Sequence, residues 1–424
     1  MMTVGDTVQA RAGNMLPGGE VSVRVQDETI LVSNAVPGDL LEIHVTDKRR
    51  GVLRGEISRI VEPSQDRVEA PCPVAALCGG CAMQSVSAEQ QALVKSDWVS
   101  HAFKAVMETD TDFIAIKAGQ QIYRRRVRWF IGLDDHGFFL GFYAPATHQP
   151  VRHTSCMAVT SELNTVRELI ESNVSLEGVV SVQALQLHDG IHIILECNAR
   201  PVVDIDELEG DELDGLSLQW WWRDENHITR PLKKPGRAFH DLLPAGESTI
   251  GLSVGPDDFV QGQHDGNQIL IRQIQEWGGA VKRIADLFCG IGNLSLPLAA
   301  ATGATVFGAE LNAASVRAAS ANAKILKLDA QFEVANLFES FALESYIGAD
   351  LLILDPPRRG AKRICNQISR LLPKKIIMVS CDPAAGARDG VLLKQQGYRL
   401  KALRVLDLFP YAGHVEAMSL WVKS

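Results

Sequence analysis

The sequence predicts a multidomain protein: an N-terminal small β-barrel, a central α+β domain and a C-terminal α/β Rossmann-like domain. Three observations predict it. Residues 1–62 are short alternating runs broken by Gly and Pro. From Pro63 the character changes, with a Gly- and Cys-rich stretch inside residues 63–258. Residues 259–424 alternate continuous apolar runs with helical segments. A chain of 424 residues also exceeds what one ordinary core accommodates.

In the first segment the runs EVSVRV, ETILVS, LLEIHVT and GEISRIV alternate with period two, the signature of half-buried strands in a small antiparallel barrel. Val36-Pro37-Gly38-Asp39 supplies a turn between two of them. In the middle segment a helix is expected from Ser87 to about Met107 and another near Ser161 to Ser172, among strands between Val127 and Leu195. Trp220, Trp221 and Trp222 end an apolar strand pattern, where packing is the ordinary role of such a run. The acidic stretch from Asp204 to Asp214 reads as an exposed loop or hairpin edge. In the last segment RIADLF, TVFGAE, LLILD and IIMVSC are unbroken apolar runs, as strands of a parallel sheet covered on both faces require. Helices between them complete βαβ units of a doubly wound domain.

Composition narrows the function classes. Hydrophobic residues make up 46% and charged residues 22%, the balance of a globular protein. No apolar run is long enough to span a bilayer, and the N-terminus has neither basic nor apolar signal character, so a cytoplasmic location is expected. Eight cysteines in such a chain point to metal ligands, nucleophiles or buried apolar thiols rather than a disulfide framework. A net charge of −9 argues against indiscriminate coating of nucleic acid, although local basic clusters such as Arg124, Arg125, Arg126 and Arg128 are present.

Candidate chemistry gathers at strand ends. Asp286 to Asn293 (DLFCGIGN) runs a strand into a glycine turn, where Gly290 and Gly292 let a ligand approach the backbone. The turn lacks the full dinucleotide fingerprint, and Glu310 ends the next strand where a ribose diol could be received; both favour S-adenosylmethionine over NAD or flavin. Asp355-Pro356-Pro357-Arg358 and Ser380-Cys381-Asp382-Pro383 each follow a strand, and Gly413-His414-Val415-Glu416 precedes the last one. A thiol with carboxylates around one crevice suits covalent catalysis with proton removal. Cys197, Cys289 and Cys365 read instead as buried thiols, with Cys289 drawing notice because it lies in the glycine turn.

DLFCGIGNLSLPLA, LILDPPRRG, MVSCDP and FPYAGHVEAMSLW together resemble the motifs of the RNA 5-methyluridine (uracil-C5) methyltransferases, and YRRRVRW and GFYAPATHQPVRHTSC resemble that family's central region. The resemblance covers nearly the whole chain and implies a TRAM-type, OB-like RNA-binding barrel at 1–62, a central domain at 63–258 and an S-adenosylmethionine-dependent domain at 259–424. It implies Cys381 as the nucleophile, Glu416 as the base, and Gln261, Phe288, Asn293, Glu310, Asn336 and Asp355 as cofactor contacts. Two positions depart from the family pattern: Gln263 stands where an asparagine is usual, and Phe409-Pro410-Tyr411-Ala412 varies a segment that normally carries His or Thr.

Cys72, Cys78 and Cys81, with Cys156 far downstream, supply four thiols. Their spacing alone suits zinc or an iron–sulphur cluster equally; the resemblance implies a [4Fe–4S] cluster. A barrel plus a cysteine cluster resembles the 23S rRNA branch, with the T-loop uridine of transfer RNA as the alternative substrate. A catalytically silent RNA-binding assembly factor is the reading from a different class. A monomer that binds RNA and no membrane is expected.

Overall fold

The structure, a computed structural model of the chain, describes residues 2–117, 123–201, 212–213, 215–339 and 342–424. The acidic stretch from 204 to 214 lies outside the described residues, apart from 212–213.

Strands β1 (Thr7–Met15), β2 (Val21–Val25), β3 (Glu28–Val32), β4 (Leu40–Arg49) and β5 (Val52–Glu62) close a barrel in the order β1-β2-β3-β5-β4. Val21, Val23, Ile30, Val32, Leu41, Ile43 and Val45 point inward and are completely buried, as the period-two pattern predicts. The barrel is not wholly antiparallel: β3 and β5 run parallel. Five strands cannot close with every neighbour reversed, so one parallel pair is unavoidable. Strand β1 is not evident in the sequence, because most of its TVQARAGNM side chains remain outside the core. The expected turn at Val36 to Asp39 acts as a fastener. The buried Asp39 carboxylate accepts the Val36 N–H at 2.7 Å, the Ser64 N–H at 2.8 Å and the Arg67 guanidinium at 2.6 Å. Burial pushes its pKa up, but Arg67 and these backbone donors outweigh it and hold the carboxyl below its usual range.

Helix α1 (Ala88–Phe103) starts at Ser87, whose hydroxyl accepts the Gln90 N–H. Strand β6 (Asp112–Lys117) follows. The central sheet contains β7 (Arg126–Asp134), β8 (Gly137–Tyr143), β9 (Pro150–Val151), β10 (Val179–Gln186), β11 (Gly190–Cys197), β12 (Glu212–Leu213), β13 (Leu216–Arg223) and β14 (Thr229–Pro231). Helix α2 (Ser161–Asn173) packs Leu163, Val166 and Ile170 into the same buried cluster as Trp129 and Val182. Trp220 belongs to that core; Trp221 donates its indole N–H to His192, and Arg230 lies over Trp222. The tryptophan run is thus engaged in packing. A hairpin, β15 (Phe239–Ala245) with β16 (Ser248–Val254), leads to the last domain.

That domain continues with α3 (His264–Gly278), β17 (Arg283–Leu287), α4 (Ser295–Thr302), β18 (Thr305–Glu310), α5 (Ala313–Ile325), β19 (Ala330–Val334), β20 (Leu351–Leu354), α6 (Lys362–Asn366), α7 (Ile368–Leu371), β21 (Lys375–Ser380), α8 (Pro383–Gln395), β22 (Tyr398–Asp407) and β23 (Glu416–Lys423). Its sheet order is β19-β18-β17-β20-β21-β23-β22-β6. Alternate residues of the buried strands feed two clusters: Ile284, Ile353 and Ile377 in one, Leu287, Leu354 and Met378 in the other. Both faces are covered, which explains the unbroken apolar runs.

Sheet membership reaches across the expected boundary at 259. Strand β6 pairs parallel with β22, and α1 packs against α8, so residues 88–117 belong physically to the C-terminal sheet. An edge strand and a helix contributed from far upstream leave no local sequence mark of the sheet they join. The fold also departs from pure parallel winding, because β23 is antiparallel to both β21 and β22. Among the described residues no helix is long and apolar enough to cross a membrane.

Replacing Asp39 with Ala leaves two backbone donors without their acceptor and strips the half-buried Arg67 guanidinium of its carboxylate, with the Asn34 carbonyl as its remaining partner. Loss of roughly 3–5 kcal/mol is expected, read as a lower urea midpoint for barrel proteolysis; an unchanged midpoint would refute the fastener role.

Candidate active site

The strand order reverses between β17 and β20, so a crevice opens at the carboxyl ends of these neighbours. Phe288 leaves β17 with φ +72°, and Gly290 and Gly292 follow at +53° and +85°. A side chain on Gly290 would project into open space, the room that a ligand lying on the turn would use. Glu310, ending β18, faces the turn: one carboxylate oxygen accepts the Gly290 N–H at 3.4 Å and the other the Asn312 N–H at 2.9 Å. Asn293 exchanges amide hydrogen bonds with Asn267 on α3 at 2.8 and 2.9 Å. Asn336 follows β19 and accepts the Phe338 N–H, and the Phe338 ring packs 5.4 Å from Phe288. Gln261 lies just before α3, with its carbonyl bound to Arg125. These expected cofactor residues therefore flank the ends of β17, β18 and β19 and the start of α3, while Asp355 follows β20.

Asp355, Cys381 and Glu416 occupy one edge of three adjacent strands. Asp355 follows β20, Cys381 follows the parallel β21, and Glu416 begins β23. Because β23 runs antiparallel, with Ala417 opposite Ser380, its first residue arrives at the edge where β21 ends. The Ser-Cys-Asp-Pro motif has a local logic. Asp382 caps α8 by accepting the Ala384 and Ala385 N–H groups at 2.9 and 3.1 Å, and Pro383 occupies the first helical turn. Cys381 is fixed between a strand end and a helix start.

The electrostatics are those of anionic groups crowded in an apolar place. Burial, then Asp355, pushes the Glu416 carboxyl up to about 8, with Arg358 opposing. Burial raises Asp355 to about 7. Asp286 also rises to about 7, through burial and the nearby Asp355 and Glu310, against its hydrogen bond from Ser295. Cys381 is pushed up to about 11 by burial and by Glu416 and Asp355, again against Arg358. The free thiol is accordingly protonated at neutral pH, and a cation entering the crevice would relieve every one of these groups. His414 is driven toward its neutral form by burial and by Arg358, Arg124 and Lys95.

Beside Cys381 a groove of about 1250 Å³ opens, lined by Arg358, His414, the barrel segment from Asn14 to Gly18, and Trp98 and His101 of α1. The barrel touches the site directly: the Gly18 N–H bonds the Gly413 carbonyl at 2.9 Å, and a Cβ on Gly413 would lie 2.3 Å from the Gly18 backbone.

The four other expected ligands lie away from this crevice. Cys72, Cys78, Cys81 and Cys156 line one small cavity with Arg124 and His153. The Gly80 N–H donates to the Cys78 sulphur at 3.4 Å, and burial raises both the Cys78 and Cys156 thiols. Among the described residues no group of three or more His, Cys, Asp or Glu side chains is arranged to hold a single metal ion. Cys197, Cys289 and Cys365 are buried.

Sequence reasoning passed over Asp286 and Arg358 as members of the site. Asp286 opens the DLFCG motif, where a carboxylate inside an apolar strand was the available signal. Arg358 was legible as the last residue of the Asp-Pro-Pro-Arg motif without a role of its own, and its effect on Cys381 and Glu416 is a property of the folded site.

The methyltransferase small domain family matches residues 256–375. The chain is 31% identical to the 23S rRNA (uracil(1939)-C(5))-methyltransferase RlmD of Shewanella amazonensis, over 93% of this chain and 91% of the relative. It is 32% identical to the RlmD protein of Pseudomonas aeruginosa, over 93% and 89%. The solved structure of a Pyrococcus abyssi tRNA (uracil-54, C5)-methyltransferase, in complex with S-adenosyl-L-homocysteine, superposes with a TM-score of 0.74 at 21% identity, covering 98% of this chain and 100% of that one, a likeness of fold.

Asp286, Asp355 and Glu416 keep protons in the folded state at pH values where the unfolded chain has lost them. Raising the pH from about 4 to about 8 therefore weakens the fold through these groups. Glu416→Gln removes one of them, so its melting temperature should fall less steeply than wild type between pH 6 and 8.5 in ligand-free protein. Parallel slopes in a fluorimetric melt would refute the burial cost assigned to Glu416.

Proposed function

The chain belongs to the RNA uracil-C5 methyltransferase family and is an enzyme of that class, and we propose that it methylates carbon 5 of a uridine in 23S rRNA, using S-adenosylmethionine, Cys381 as nucleophile and Glu416 as base. The observation that carries this reading is the meeting of a thiol and a raised carboxyl group on adjacent strand ends. The 23S rRNA assignment rests on the relatives' substrate and the length over which they align.

Carbon 5 of uracil is too poor a nucleophile to take a methyl group unaided. The Cys381 sulphur adds to carbon 6, its proton passing to solvent through the groove, and the ring electrons shift toward carbon 5. Arg358 is the cation beside the thiol that favours its ionised form. S-adenosylmethionine supplies the electrophilic methyl group on a sulphonium. The residues at the crevice fit that cation: Asp286, Asp355 and Glu416 all have ionised forms disfavoured by burial, with Glu310 close by. After transfer, Glu416 takes the proton from carbon 5; the electrons of that C–H bond restore the ring double bond and expel the Cys381 thiolate. Burial and Asp355 raise the Glu416 carboxyl, so its carboxylate, once positive charge in the crevice has ionised it, is a stronger base than an exposed one, help worth about 10² to 10⁴-fold. The target base must leave its stack to reach Cys381, and the groove bounded by the barrel and α1 offers the route for an unpaired RNA segment.

Cys72, Cys78, Cys81 and Cys156 would hold a [4Fe–4S] cluster. They suit it in that four thiols line one cavity, the ligand number that such a cluster takes. Methyl transfer consumes no electron, so the cluster's part would be to order the loop around Cys81.

Labelled methyl transfer to 23S rRNA and transfer RNA transcripts tests the main reading. Wild type should label 23S rRNA at a uridine; Cys381→Ala should lose activity, and Glu416→Gln should trap a protein–RNA adduct. Full activity of Cys381→Ala would end the covalent mechanism, and labelling of transfer RNA alone would move the substrate. For the cysteines, anaerobically purified protein should contain about four irons per chain with broad visible absorbance, diminished in Cys78→Ser. Stoichiometric zinc without iron would overturn the cluster.

A further inference from the structure

The loop from 408 to 415 delivers Glu416 to the sheet edge, and several separate elements hold it. Lys95 of α1, completely buried, donates to the Asp407 carboxylate at 2.6 Å and to the Phe409 carbonyl at 2.9 Å. Gln91, one helical turn earlier and on the same face, accepts the Tyr411 N–H at 3.0 Å. The Met83 N–H donates to the Tyr411 carbonyl at 2.8 Å, and Gly18 holds Gly413. Tyr411 itself sits at φ +65°, a conformation that a non-glycine residue keeps only when its surroundings impose it.

Lys95 stands out among these contacts. An ammonium is costly to bury, and an apolar side chain would pack α1 with less penalty. The residue also reaches two parts of the same connection: Asp407 at the end of β22, next to Leu406 that pairs with Glu416, and a backbone carbonyl inside the loop. Cys381, by contrast, is carried by β21 and α8 and has no share in this loop.

We propose that Lys95 is a positioning residue for the methyl-transfer reaction: by clamping Asp407 and the Phe409 carbonyl it sets where Glu416 stands relative to Cys381. The proposal rests on the reading of Glu416 as the group that takes the carbon 5 proton. Loosening the clamp leaves thiol addition and methyl transfer intact and slows the elimination that follows. The methylated covalent adduct between Cys381 and RNA then accumulates.

The test compares wild type, Glu416→Gln, Lys95→Met and the double variant Lys95→Met/Asp407→Asn, all as full-length protein with S-adenosylmethionine and the substrate RNA. The double variant removes the half-buried carboxylate that Lys95→Met leaves without its ammonium, so it folds without that penalty yet still lacks the donor to Phe409. Adduct is read on a denaturing gel, beside kcat and KM. Both Lys95 variants should raise the adduct fraction several-fold and lower kcat about ten- to a hundredfold, as a misplacement near 1 Å does. kcat/KM for RNA, which reports the steps up to methyl transfer, should stay within about twofold, so KM falls together with kcat. Return of the double variant to wild-type kcat and adduct level would reduce Lys95 to a structural ion pair and overturn the proposal. Adduct in Glu416→Gln without any rise in the Lys95 variants would overturn it alone. Absence of adduct in Glu416→Gln would remove the base assignment, and the proposal with it.

Discussion

The direction of one strand organises this molecule. Seven of the eight strands in the C-terminal sheet point the same way, and the carboxyl ends of β17, β18, β20 and β21 define the crevice. Strand β23 enters the other way, between β21 and β22. A residue at the start of an antiparallel strand stands at the same edge as a residue at the end of its parallel neighbour. That is how Glu416 comes to share a site with Cys381 and Asp355 although each arrives on a separate segment.

Burial then makes the edge chemically unusual. Carboxyl groups that would be ionised in water hold protons here, because the strands around them are apolar on both faces and each negative charge opposes the next. The same surroundings push the Cys381 thiol up toward its protonated form, with Arg358 as the counterweight.

The other parts of the chain act on this edge from outside. The barrel reaches it through Gly18, the cysteine-rich loop through Met83, and α1 through Gln91 and Lys95, all upon the connection that precedes Glu416. Helix α1 and β6, although distant in sequence, complete the sheet and its covering. The three segments distinguished by composition are thus not independent units around the site.

Much was legible in the residues alone. The alternating runs marked β2 to β5, the unbroken apolar runs marked β17, β18, β20 and β21, and the turn and cap chemistry around Gly290 and Asp382 follows from local backbone demands that the side chains satisfy directly. Strand β1 escaped because an outward-facing strand carries little periodicity, and the parallel β3–β5 pair follows from closing an odd number of strands. Membership of α1 and β6 in the last sheet, the reversal of β23, the raised carboxyls and the clamp on residue 409 were decided only in three dimensions. Each depends on which distant segments become neighbours, and on how much water their packing excludes; no single stretch of sequence carries that information.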